Sequence, residues 1–228
     1  ARCLSYSHIE FFLEEKKNSK NPFWSKKGRE EIRYLIKKNL TLNKFLLCDN
    51  YLIKQDLYNK KTYSYLIQVL KNLKDFESSI LILPIKEQYF DDTIKLLNFF
   101  QKLLKYKSNS INISFETEAD TNKIISFFDL LKTNDFGITF DTGNVYLKNP
   151  LIFSYFKSIK SYINHIHIKD RNIYGDNVKL GEGIVNFKKF FNLLKKEKYK
   201  KTITLETYRK TNSIIRGLKN LNFINSVT

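Results

Sequence analysis

Seven times along this chain, a short strand-like stretch, alternating or continuously apolar, is followed by a stretch whose apolar residues recur with a helical period. The strand-like stretches are SHIEFFL, NKFLLCD, SSILILPI, SINISFE, FGITFD, INHIHIKD and KTITLE. Between and after them come SKKGREEIRYLIKKN, residues 62–73, DDTIKLLNFFQKLLKY, TNKIISFFDLLK, PLIFSYFKSIKSY, NFKKFFNLLKKEK and a helix from about Ser213. Period two marks strands and period 3.6 marks helices. Strict alternation of the two predicts a parallel sheet whose crossovers are helices. No linker rich in Pro, Gly or Ser interrupts it, so residues 1–228 are expected to form one domain.

Seven units suit most of a (β/α)8 barrel, which takes about 250 residues. The expectation is a TIM barrel lacking its first strand, with residues 1–5 as the tail of the first helix. Residue 1 is Ala and the chain holds no Met, which fits a chain incomplete at its N-terminus. A doubly wound open sheet is the alternative, but DTGNVY and LGEGIV do not provide the GxGxxG turn of a dinucleotide fold.

Aligning the last four strands exposes a second regularity. In NISFE, GITFD, HIHI and TITLE one face is apolar and the other carries small or polar side chains. At or near each C-terminal end the polar face presents Glu116, Asp141, His167 and Glu206. In a barrel, consecutive strands are neighbours and active sites lie at the C-terminal rim. Three carboxylates crowded there repel one another unless a cation neutralises them. One divalent ion, Mn²⁺, Mg²⁺, Co²⁺ or Zn²⁺, held by these carboxylates and one imidazole resolves that repulsion. The chain has three histidines, and two lie in HIHIKDRN. His167 is expected to be a ligand. His165, deeper on the same face, is expected in the core or behind the ligands.

A net charge of +17 raises nucleic acid as a partner. The lysines, however, are spread over every amphipathic segment, which argues for solvated helix faces. No run of about 18 apolar residues exists, so a membrane span is not expected. Cys3 and Cys48 form no metal spacing. Together with the lack of a signal peptide at the start of this sequence, they point to a reducing, cytoplasmic compartment.

ISFETEAD, GITFDTGN, HIHIKDRN, VKLGEGIVNFKKFF and ITLETYR resemble the xylose-isomerase-like TIM-barrel sugar phosphate isomerases and epimerases, especially hexulose-6-phosphate isomerase and ribulose-phosphate 3-epimerase relatives. NPFWSKKGREEI resembles their second unit. The resemblance implies an enzyme acting on a sugar or sugar phosphate, with one metal on Glu116, Asp141, His167 and Glu206. It implies that Glu116 and Glu206 exchange the substrate proton from opposite faces. Transfer by both gives epimerisation, and transfer on one face gives aldose–ketose isomerisation.

Some members carry His where this chain has Asn144, and Asn186 stands where the GEG loop usually continues to Asp. Substrate contacts are expected among Lys169, Arg171, Glu182, Arg209 and Asn144. Solvated or structural roles stay open for Lys169, Arg171 and Glu182, and Glu10 is read as a buried polar partner. An apurinic-endonuclease-like nuclease of the same barrel needs many more histidines than three. A non-catalytic barrel and a dehydratase are further alternatives, and a homo-oligomer stays open.

Overall fold

The computed structural model describes residues 6–14, 18, 20–38, 44–77, 79–131, 133–149, 151–206 and 213–228. The chain divides into two compact units, Ala1–Gly137 and Ile138–Thr228.

In the first unit, β1 (His8–Leu13), β2 (Lys44–Asp49), β3 (Ser79–Pro84) and β4 (Ile111–Glu116) pair in sequence order, all parallel. Helices α1 (Lys26–Lys38), α2 (Lys60–Leu73), α3 (Thr93–Leu104) and α4 (Thr121–Leu131) fall one after each strand. The apolar face meets the helices. Phe45 of β2 stacks on Phe76, just beyond α2, at 4.0 Å. Phe115 of β4 packs on Phe100 of α3 at 4.6 Å and on Phe127 of α4 at 5.6 Å. On the other face Leu46, Cys48, Ile80 and Ile82 form a cluster against which Phe12 packs. Strands buried on both faces read as continuous apolar runs, as FLLC and ILIL do. The register sets Ile82 beside Ser114 and Pro84 beside Glu116, so this second face turns polar at β4.

Asp49 closes β2 and is fully buried. Its carboxylate accepts the Tyr51 N–H at 3.0 Å and the Tyr65 hydroxyl at 3.3 Å, which caps the 3-10 turn Asn50–Lys54. Burial pushes its carboxyl up to about 7, against the Tyr51, Tyr65 and Leu52 hydrogen bonds that pull it down. The neutral form is therefore the one the fold favours. The stability it contributes is complete below its ordinary 3.8 and is lost as pH rises through about 7. Asp49→Asn keeps an acceptor oxygen and carries no charge. Its melting temperature is expected to gain on the wild type between about pH 5 and about pH 8, by the equivalent of roughly 2–4 kcal/mol. Thermal unfolding at the two pH values checks this, and a gap that does not change with pH overturns it.

In the second unit, β5 (Phe136–Asp141, from Ile138 on), β6 (Ile163–Ile168) and β9 (Thr202–Leu205) are parallel and pair in that order. Helices α5 (Thr142–Lys148), α6 (Ile152–Ile159), α7 (Phe187–Lys196) and α8 (Ser213–Val227) accompany them. Phe140 of β5 packs on Phe156 of α6 at 5.3 Å and Phe190 of α7 at 5.6 Å. The lysines of α7, Lys188, Lys189, Lys195 and Lys196, are exposed. The sequence expectation of parallel strands separated by helices holds in both units.

Two elements differ from that expectation. Helix α5 starts directly at the end of β5, because the Asp141 side chain accepts the Asn144 N–H and caps it. After β6 the chain forms a small antiparallel hairpin, β7 (Asp170–Arg171) with β8 (Asn177–Val178). At Gly181, φ is +85°, and a Cβ would lie 2.4 Å from the Phe223 ring of α8, so only glycine fits. Among the described residues, no helix is long and apolar enough to cross a membrane.

Candidate active site and metal centre

The polar face of the second unit follows the strand register. Thr139 lies beside His165 and Asp141 beside His167; on the other side of β6, His165 lies beside Thr202 and His167 beside Thr204. His165 and His167 are both fully buried. The deeper His165 has its Nδ1 2.7 Å from Thr202 Oγ1, and its ring meets the His167 ring edge-on at 5.0 Å. His165 is thus engaged behind the rim.

Three ligand-type side chains meet at the C-terminal ends. Asp141, 1% exposed, uses Oδ1 for the cap of α5, at 2.8 Å from the Asn144 nitrogen. Its Oδ2 lies 3.3 Å from Lys169 Nζ. Glu206 follows β9 by one residue, and its N–H donates to the Ile168 carbonyl at 3.0 Å, which fixes its backbone to the end of β6. Its Oε2 is 3.1 Å from His167 Nδ1 and its Oε1 is 2.8 Å from Lys169 Nζ. Burial alone would raise the Glu206 carboxyl, but the His167 ring and the Lys169 ammonium hold it down at about 2. Asp141, His167 and Glu206 each offer one ligand atom, and these atoms lie within 4.8 Å of one another. Two carboxylates and an imidazole gathered in a buried place fit a divalent cation. Glu116 belongs to the first unit. It ends β4 on the face of Ser114, and its carbonyl accepts the Ile85 N–H at 2.9 Å.

The residues read as substrate contacts fall into three groups. Lys169, Arg171 and Asn144 lie around the ligands. Arg171 Nε donates to Asn144 Oδ1 at 2.8 Å and Arg171 also bonds the Gly175 carbonyl, so a chain of contacts runs from Arg171 through Asn144 to Asp141. Gly143 permits this closeness: a Cβ there would lie 3.1 Å from Arg171 Cγ and 3.2 Å from Lys169 Cγ. Glu182 is exposed and pairs with Lys179 at 2.7 Å. Arg209 lies outside the described residues.

Sequence reasoning missed Asp170. This buried carboxylate accepts backbone N–H groups from Arg171, Gly181, Gly183 and Val185 at 2.9–3.2 Å. Gly183 is required there, since a Cβ would fall 2.2 Å from Asp170 Oδ1. Asp170 thus ties the LGEG loop to the strand that carries His167. The signal was an acid directly after HIHIK combined with a glycine pair downstream.

A family model described as xylose isomerase-like TIM barrel matches residues 1–224. No curated protein matches the sequence. Among solved structures, the chain is similar to D-psicose 3-epimerase from Clostridium cellulolyticum H10, at 13% identity and TM-score 0.73, covering 99% of this chain and 90% of that one. It is similar to 3-keto-D-glucoside 4-epimerase from E. coli, at 12% identity and TM-score 0.75, covering 99% and 91%. It is also similar to D-allulose 3-epimerase from Methylomonas sp., at 17% identity and TM-score 0.75, covering 100% and 88%. At these identities the likeness establishes the fold, that of a TIM barrel.

Proposed function

Because the chain belongs to the xylose isomerase-like TIM barrel family, we propose that it is a divalent-metal-dependent isomerase or epimerase of a sugar or sugar phosphate. The observation that carries the reading is the buried meeting of Asp141, His167 and Glu206 at the ends of β5, β6 and β9. The epimerase activities named for the similar structures agree with it.

Asp141, His167 and Glu206 would hold the ion, and Glu116 is proposed as the fourth ligand. It ends β4 on the face of Ser114, as Asp141 ends β5 on the face of Thr139. A bound Mn²⁺, Mg²⁺, Co²⁺ or Zn²⁺ would polarise the carbonyl and adjacent hydroxyl oxygens of a ketose. Glu206 and Glu116 are proposed as the acid/base pair, one taking the proton from the sugar carbon and the other returning it. The two would act on opposite faces of that carbon. Lys169, Arg171, Asn144, Glu182 and Arg209 are proposed substrate contacts, and Asn144 also sets the orientation of Asp141 through the cap.

The test is solvent deuterium incorporation next to the carbonyl. The panel contains D-psicose, D-tagatose, D-fructose and their phosphates. With Mn²⁺ or Co²⁺ supplied, exchange is expected with at least one of them and is expected to stop on chelation. A protein that binds Mn²⁺ yet exchanges with none of the panel removes the proton-transfer reading.

A further inference from the structure

The ammonium of Lys169 stands where a bound cation would be expected. Lys169 follows His165 and His167 at the period of the strand, so its side chain leaves on their face. Its backbone is clamped by one hydroxyl: Thr142 Oγ1 donates to the Lys169 carbonyl at 2.7 Å and accepts the Lys169 N–H at 2.9 Å. Its stem runs past Gly143, where a Cβ would crowd it at 3.2 Å. The side chain is 10% exposed and its Nζ bridges Asp141 Oδ2 and Glu206 Oε1. Asp141 Oδ1 already accepts the cap hydrogen bond of α5, so an ion that does not compete with the cap takes Oδ2. That same oxygen faces the ammonium. An ion that takes Asp141 Oδ2 and Glu206 Oε1 therefore meets a cation already in place.

Resting on the metal reading above, we propose that Lys169 is a tethered competitor for the metal. It neutralises Asp141 and Glu206 in the metal-free chain and is displaced from between them when the ion enters. Two effects follow. The carboxylates stay together without metal, because the ammonium cancels a repulsion that would otherwise spread them. The metal affinity is lower than the donor set alone would give, because entry must break two charged hydrogen bonds in a largely buried place.

The experiment compares wild type, Lys169→Gln, Lys169→Arg and Lys179→Gln. Mn²⁺ affinity is read by calorimetric titration, and melting temperature is read with Mn²⁺ and with chelator. Lys169→Gln is expected to bind Mn²⁺ about tenfold more tightly, which is about 1.4 kcal/mol, and to melt lower than wild type when metal-free. Lys169→Arg keeps the charge and is expected within about threefold of wild type. Lys179→Gln removes an exposed charge and is expected to leave both readings unchanged. A Gln variant that folds only with Mn²⁺ is the same result at its strongest, since the ion then replaces the missing cation. Equal or weaker Mn²⁺ binding by Lys169→Gln overturns the proposal and leaves the metal site standing. So does a Gln variant that fails to fold even with Mn²⁺ while the Arg variant folds. If neither wild type nor any variant binds Mn²⁺, the metal reading fails and this inference falls with it.

Discussion

Glu116→Gln and Glu206→Gln are each expected to lower turnover of a ketose identified in the deuterium assay by about 10²–10⁴-fold, the usual contribution of a positioned general acid or base. Glutamine preserves the length and most of the shape of each side chain but cannot take a proton from carbon. At Glu206 the substitution also removes the charge that Lys169 and His167 face at 2.8 and 3.1 Å. Part of its loss will therefore come through weakened metal binding, which Mn²⁺ titration of the same variant separates from the chemical step. The two variants should differ in a telling way if the enzyme epimerises. With one face disabled, the other glutamate still has access to the substrate hydrogen of one epimer, so residual deuterium wash-in is expected from that epimer and not from its partner. Wild-type turnover in both variants would leave the carboxylates as mere metal holders.

For Asp141→Asn we expect Mn²⁺ affinity to fall by more than about 100-fold, since even residues that only orient a ligand cost 10–100-fold. The choice of asparagine follows from the structure. Asp141 has two tasks, and alanine would remove both. An asparagine oxygen can still accept the Asn144 N–H and start α5, so the melting temperature of the metal-free variant reports the lost Lys169 pairing with the cap retained, while the titration reports the ligand. Exhaustive chelation of wild type should abolish turnover to the same extent, and adding Mn²⁺ back should restore it. Full turnover after chelation would refute metal dependence whatever the variant does.

The strands were legible either from alternation, as in the last four, or from short bounded apolar runs, as in FLLC and ILIL. FGITFD becomes β5, and INHIHIKD becomes β6 over its first six residues; near the C-terminal end of each, the apolar pattern gives way to an acid or a histidine. Asp141 beside His167 is a consequence of that register. Helix α5 was not legible: TGNVYLK is seven residues long and too short to show an apolar stripe, and the residue that starts it is also the last residue of a strand. Lys169 was placed on the correct face by period two, but its contact with Asp141 and Glu206 depends on how a four-carbon stem folds back, which no periodicity sets. Asp170 falls on the alternate position from Lys169, and three of its four backbone partners lie 11 to 15 residues downstream. Contacts of that range within an irregular loop leave no repeating mark in sequence.

The knot at Asp170 has a consequence for how such a chain can change. One carboxylate fastens residue 171 at one end of the loop and residues 181, 183 and 185 at the other. What lies between carries Ile173 and Tyr174, 72% and 84% exposed, at its tip. Lengthening a loop whose ends are already joined raises its closure entropy only slowly, by about 0.6 kcal/mol per doubling. Residues 172–179 therefore form a segment fastened at both ends, short of the buried Leu180. Grafting a longer or differently charged segment between the fastened ends would change what this loop presents and leave the strand that carries His167 in register.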